Sequence, residues 1–197
     1  MIVYAEQLLE KYKDYKEPHH KIQSLVSHGE LIPLKRGIYE TDRTVPGYML
    51  AGCLCGPSYL SFEYALSYYG MIPERATVYT SATFRMNRKK EFTNAFGVYT
   101  YRDVPAAAYP HCYAWIDAKP YPYFIAEKEK ALCDQLSIIK PIRGKQDFRE
   151  YLFDGMRLDE ELFEELDKEK LRKLAPLYHR TNLYQLISLL DDMEIER

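Results

Sequence analysis

The chain has 197 residues, 47% hydrophobic and 28% charged, a composition in the globular range that argues against a largely disordered chain and leaves room for one sizeable domain or a small module fused to a medium one. A formal net charge of -2 hides an asymmetry: from residue 150 onward 13 acidic side chains face 7 basic ones, whereas the preceding residues carry 16 acidic and 20 basic. A polyanionic partner is therefore expected on the first three quarters of the chain, and the longest weakly polar run, Tyr48 to Leu60, is too short and too broken by Gly52, Gly56 and Pro57 to span a membrane.

Ala5, Leu8, Leu9 and Tyr12 recur at helical spacing and predict an amphipathic helix from Tyr4 to about Tyr15. Glu17-Pro18 breaks that pattern, and Pro18 opens a second helix that Gly29 closes. Ile22, Leu25 and Val26 form its apolar stripe, which leaves His19, His20, Lys21, Gln23, Ser24 and Ser27 on or near the other side. Those are hydrogen-bonding side chains suited to base edges. Two short strands follow, Leu31 to Leu34 and Ile38 to Glu40, joined by a basic tip of Lys35, Arg36 and Gly37. Helix, stop and cation-tipped hairpin is the order of a winged helix-turn-helix, in which the helix enters the major groove while Lys35 and Arg36 hold phosphates.

Thr41 to Gly47 predicts a linker into a larger domain, giving units 1–45 and 46–197. A helix is expected from Ser58, its N-cap, to Tyr69, with Phe62, Ala65, Leu66 and Tyr69 on the buried stripe and Gly70 as its stop. Strands are expected at Ala76 to Thr80, Phe96 to Tyr101 and Tyr121 to Ile125. Between the first two lies a second basic patch, Arg85, Arg88, Lys89 and Lys90, read as a loop and as a further nucleic-acid contact. From Ala126 onward the pattern is helical: Ala131, Leu132, Leu136 and Ile139 on one helix, charged helices over Asp147 to Phe153 and Asp159 to Leu174, and Leu183, Leu186, Ile187 and Leu190 on the last. The predicted fold is α+β: an N-terminal winged helix-turn-helix, then a mixed α/β domain with a helical C-terminal tail.

Three blocks in this order, KIQSLVSHGELIPLKRGIY from Lys21, GPSYLSFEYALSYYGMIPE from Gly56 and IAEKEKALCD from Ile125, resemble the AbiEi family of antitoxins over about residues 18 to 140. The resemblance implies a winged helix joined to a larger domain, binding to double-stranded DNA at repeats in the operon's own promoter, and a functional partner in a nucleotidyltransferase-like toxin of a type IV phage-defence system. Repeated sites imply two copies on DNA. Family members usually carry three helices before the wing, and only two fit ahead of Gly29 here, unless a helix from elsewhere completes the module.

Glu129, Lys130 and Asp134 belong to the third block. Lys130 and Asp134 are one helical turn apart and suit an ion pair within the domain, while a nuclease using Glu129 and Asp134 is the alternative from a different class, and a protein-interaction module without DNA a third. No cofactor is expected, because no glycine-rich phosphate-binding pattern occurs. Cys53, Cys55, His111 and Cys112 lack the spacing of paired zinc ligands, so no metal is expected, and with no basic, apolar run after Met1 no secretory leader is expected either. The expectation is a reduced, cytoplasmic protein without catalytic activity, its serines at 58 and 61 explained as caps.

Overall fold

The computed structural model describes residues 1–195. Its first unit runs β1 (Ile2–Tyr4), α1 (Ala5–Lys11), α2 (Pro18–Ser27), β2 (Ile32–Lys35) and β3 (Ile38–Glu40). The three strands form an antiparallel sheet in the order β1-β3-β2, with Ile2 and Ile32 both opposite Glu40. Strand β1 was not expected, since three residues are too few to show an alternation in sequence. Pro18 occupies the first turn of α2, where its missing N–H costs nothing, and Gly29 ends the helix with φ +75°, a conformation that favours glycine. Leu8, Ile22, Leu25 and Leu31 form a small core, joined by partly buried Val3, Leu9, Tyr12, Val26 and Tyr39. That core draws on residues 3 to 39 alone, so no later helix among the described residues supplies a third.

The hairpin has two faces with different attachments. Leu34 and Ile38, with Val45 beyond them, belong to the large core of the remaining chain. Asn94 Nδ2 donates to the Leu34 carbonyl at 3.1 Å, and the Tyr121 hydroxyl donates to Glu40 Oε2 at 2.7 Å. Residues 41–47, expected as a linker, thus connect two units that already share a hydrophobic core.

After a 3-10 turn at Gly47–Leu50 come α3 (Ala51–Leu54), β4 (Tyr59–Leu60), α4 (Phe62–Tyr68), β5 (Val78–Thr83), β6 (Lys90–Asn94), β7 (Gly97–Asp103), β8 (Tyr113–Ile116) and β9 (Tyr123–Ala126). These strands make one mixed sheet in the order β6-β7-β5-β4-β9-β8. β5 pairs parallel to β7 and β4 parallel to β9, with the other neighbours antiparallel. Gly47 packs where no larger residue fits: a Cβ there would lie 2.5 Å from the Phe96 carbonyl oxygen and from the Tyr79 ring. The Tyr99 and Tyr101 hydroxyls, buried under the sheet, donate to the carbonyls of Gly47 and Ala51 at 3.0 and 2.7 Å.

Ser58 does not cap a helix, because β4 intervenes and α4 starts four residues later. Ser61 stands at the N-cap of α4, yet its hydroxyl makes no cap bond and turns instead to Asp134. The backbone bends sharply there: Phe62 has φ +57°, and Thr80 holds the bend by donating its hydroxyl to the Ser61 carbonyl while accepting from the Tyr64 amide at 3.1 Å.

The helical portion comprises α5 (Lys128–Ile138), α6 (Lys145–Glu150) continuing into a wider turn to Gly155, α7 (Glu160–Glu164), α8 (Lys168–Leu174) and α9 (Thr181–Ile195). The single helix expected over Asp159 to Leu174 is two, because Asp159 and Asp167 each cap their own first turn, accepting from the amides of Leu162 and Lys170. The protein is α+β, and among the described residues no helix is long and apolar enough to cross a membrane.

Candidate nucleic-acid interface

Helix α2 buries Ile22 and Leu25 and turns a polar stripe the opposite way. His20, Gln23, Ser24 and Ser27, at i, i+3, i+4 and i+7, share that stripe; Ser24 is half-buried and the other three are exposed. His19 is exposed beside it, while Lys21 is half-buried on the other flank with Nζ 6.0 Å from the Tyr15 ring centre. The last turn is tied together: the Ser27 hydroxyl donates to the Ser24 carbonyl at 2.8 Å, and His28 Nδ1 lies 2.7 Å from the same oxygen. Arg43, which the sequence did not single out, covers the end of the helix, its Nη2 standing 2.9 Å from where a Cβ on Gly29 would be. A cation there complements the negative end of the helix dipole.

The two cations of the hairpin part company. Arg36 is exposed at the tip, beside Gly37 with φ +80°. Lys35 is half-buried and donates from Nζ to the Leu54 carbonyl at 2.6 Å, satisfying an end of α3. The phosphate contact expected of Lys35 therefore competes with an internal bond that already occupies its ammonium.

The second basic patch is an ordered turn running into a strand. Asp103 secures it, accepting from the Thr83 hydroxyl at 2.8 Å and from the Asn87 amide at 2.7 Å. Arg85, Arg88 and Lys89 are exposed, whereas Lys90 begins β6 and lies with Nζ 3.8 Å from Cys55 Sγ. Met86 Sδ is 3.6 Å from the same sulfur. Because Lys35 is bonded to Leu54 and the 86–90 turn rests on Cys55, two basic segments 50 positions apart meet at one end of α3. Arg88 and Lys89 also share a cleft with Arg102 and Arg180, which sequence reading missed because they come from β7 and from the acidic portion of the chain. Asp103 is the acid among its described lining residues, and its oxygens are the ones already hydrogen-bonded.

Glu129, Lys130 and Asp134 lie elsewhere and are spent on structure. Asp134 and Lys130 have no solvent exposure, and Nζ stands 3.3 Å from Oδ1. Lys130 also donates to the Ala108 carbonyl at 2.6 Å and to the Tyr178 hydroxyl at 2.7 Å. Asp134 accepts from Tyr178 at 2.5 Å, Ser61 at 2.6 Å and Tyr59 at 3.1 Å. Burial pushes the Asp134 carboxyl upward, while Lys130 and the three hydroxyls pull against it. Burial, reinforced by the Asp134 charge, also holds the Tyr59 and Tyr178 phenols far above their ordinary range, so both remain donors. Glu129 is buried too, with Oε1 accepting from the Asp167 amide at 3.0 Å and Oε2 3.4 Å from Lys170 Nζ. The two carboxylates thus face different partners inside the fold.

The cysteines are free thiols, and among the described residues no group of three or more His, Cys, Asp or Glu side chains is placed to hold a metal. No protein-family model and no curated protein matches this chain.

Proposed function

We propose that the protein is a DNA-binding transcriptional regulator whose first 45 residues act as a two-helix winged helix, with α2 as the reading helix and the hairpin as its wing. The observation that carries this reading is the opposed pair of faces on α2: Ile22 and Leu25 anchor it, and His20, Gln23, Ser24 and Ser27 point away as a stripe able to hydrogen-bond base edges. His19 and Lys21 flank the stripe, and Arg36 and Arg43 supply cations at the wing tip and the helix end. Residues 1–45 hold seven basic and seven acidic side chains, so general attraction to phosphates must come from elsewhere. Arg85, Arg88 and Lys89, beside the hairpin through the Leu54 and Cys55 junction, fit that need.

The resemblance to AbiEi antitoxins narrows the proposal to a cytoplasmic antitoxin that represses its own operon, binds promoter repeats as two copies and counters a nucleotidyltransferase-like toxin. The test is a gel shift or anisotropy titration with the DNA immediately upstream of the coding sequence, at stated salt, against random DNA of the same length. Preference for the upstream DNA by 10³-fold or more is the expected magnitude for a specific regulator. Equal affinity for both DNAs overturns the proposal. A neighbouring reading frame encoding a nucleotidyltransferase-like protein is the expectation for the toxin.

A further inference from the structure

A cleft of about 380 Å³ opens on the opposite end of the large sheet from β6, against the edge strand β8. Tyr48, Tyr113, Trp115, Tyr121 and Phe124 supply its walls, and buried Met49 and Leu60 also line it. Trp115 and Phe124 are unusually open to solvent for such rings, at 55% and 39%, and meet edge to face with centres 4.8 Å apart. The described lining residues include no Asp, Glu, Lys, Arg or His. Cys53, also in the wall, has its thiol pushed up to about 11 by burial, so it too is uncharged at neutral pH.

We propose that this cleft binds a small, planar, uncharged aromatic molecule, whose faces and edges the rings of Tyr113, Trp115 and Phe124 cover. Flat aromatic walls favour a flat guest through offset and edge-to-face packing. The absence of charge among the described lining residues disfavours an ionic guest, which would leave water without a counterion. The volume suits a fused two-ring or three-ring skeleton. This site does not depend on the DNA-binding reading.

Trp115 is the only tryptophan of the chain, so its emission reports on this cleft alone. The experiment titrates full-length protein with coumarin, a neutral bicyclic lactone, and follows quenching after inner-filter correction, with no DNA present. Saturable quenching is expected. Gly52→Leu fills the cleft from a helical position where a Cβ meets nothing within 4 Å, and should abolish saturation while leaving the melting curve intact. Linear, unsaturable quenching of the parent protein, or an unchanged curve in Gly52→Leu, overturns the site.

Discussion

The Tyr121 hydroxyl reaches across 81 positions of chain to donate to Oε2 of Glu40 at 2.7 Å, tying the hairpin of the first unit to the segment ahead of β9. Glu40 is fully buried, and its other oxygen accepts from the amides of Thr41 and Asp42, at 2.8 and 3.0 Å, and from the amino group of Met1. Burial alone would raise this carboxyl, but those donors outweigh it and hold it below its ordinary value of 4.5. A carboxylate with a depressed folded value stabilises the fold fully above the unfolded value and loses that contribution as pH falls through the folded one. Melting temperature should therefore drop as pH falls below the ordinary carboxylate range. Glu40→Gln should cost about 2 kcal/mol at pH 7 and flatten that acid limb, measured by thermal melts between pH 7 and 3.

Lys130 and Asp134 form a buried pair whose members cannot be removed singly without stranding the other. Asp134→Leu should destabilise by about 3 to 5 kcal/mol, and Lys130→Met by a similar amount. The double variant Lys130→Met with Asp134→Leu should cost clearly less than the two single losses combined, since no charge is left uncompensated. Urea denaturation of the four proteins completes the cycle.

Adjacent cations on the hairpin should behave differently. Lys35→Met removes the bond to the Leu54 carbonyl, and is expected to lower stability by about 1 kcal/mol, roughly 2 to 4 °C, with no change in the salt dependence of DNA binding. Arg36→Ala should leave the melt unchanged and reduce the slope of log K against log salt by about 1, for all sequences alike. Gln23→Ala should instead cost about 1 to 3 kcal/mol at particular base pairs only.

The turn from Arg85 to Lys89 makes its own prediction. Replacing Arg85, Arg88 and Lys89 by alanine should lower the salt slope by about 2 to 3, because each phosphate contact releases close to one counterion. An unchanged slope would remove these residues from the interface.

Local signals in the sequence placed the elements that local chemistry controls. Pro18 and Gly29 bracket α2 because one needs no amide partner and the other tolerates positive φ, both properties of single residues. Strands β1, β4 and β8 were hidden because they span two to four residues and owe their existence to neighbours far along the chain. The helix-internal pairing of Lys130 with Asp134 was visible from its i,i+4 spacing, but Tyr178, 44 positions later, was not. Ser61 shows the limit most sharply. Its position before an apolar helix reads as a cap, yet a buried carboxylate 73 positions away claims its hydroxyl. Lys35 and Arg36 are equivalent in sequence, and only the end of α3 distinguishes them.

Sharing of the hairpin between two cores bears on how the protein can be dissected. A fragment truncated after residue 45 would strip the cover from Leu34, Ile38 and Val45, which are 3%, 9% and 5% exposed in the intact chain. Such a peptide would present a greasy flank on the back of its own sheet, prone to self-association. The N-terminal segment is in this respect a limb of the body that carries it, and its orientation on any bound partner is inherited from the whole.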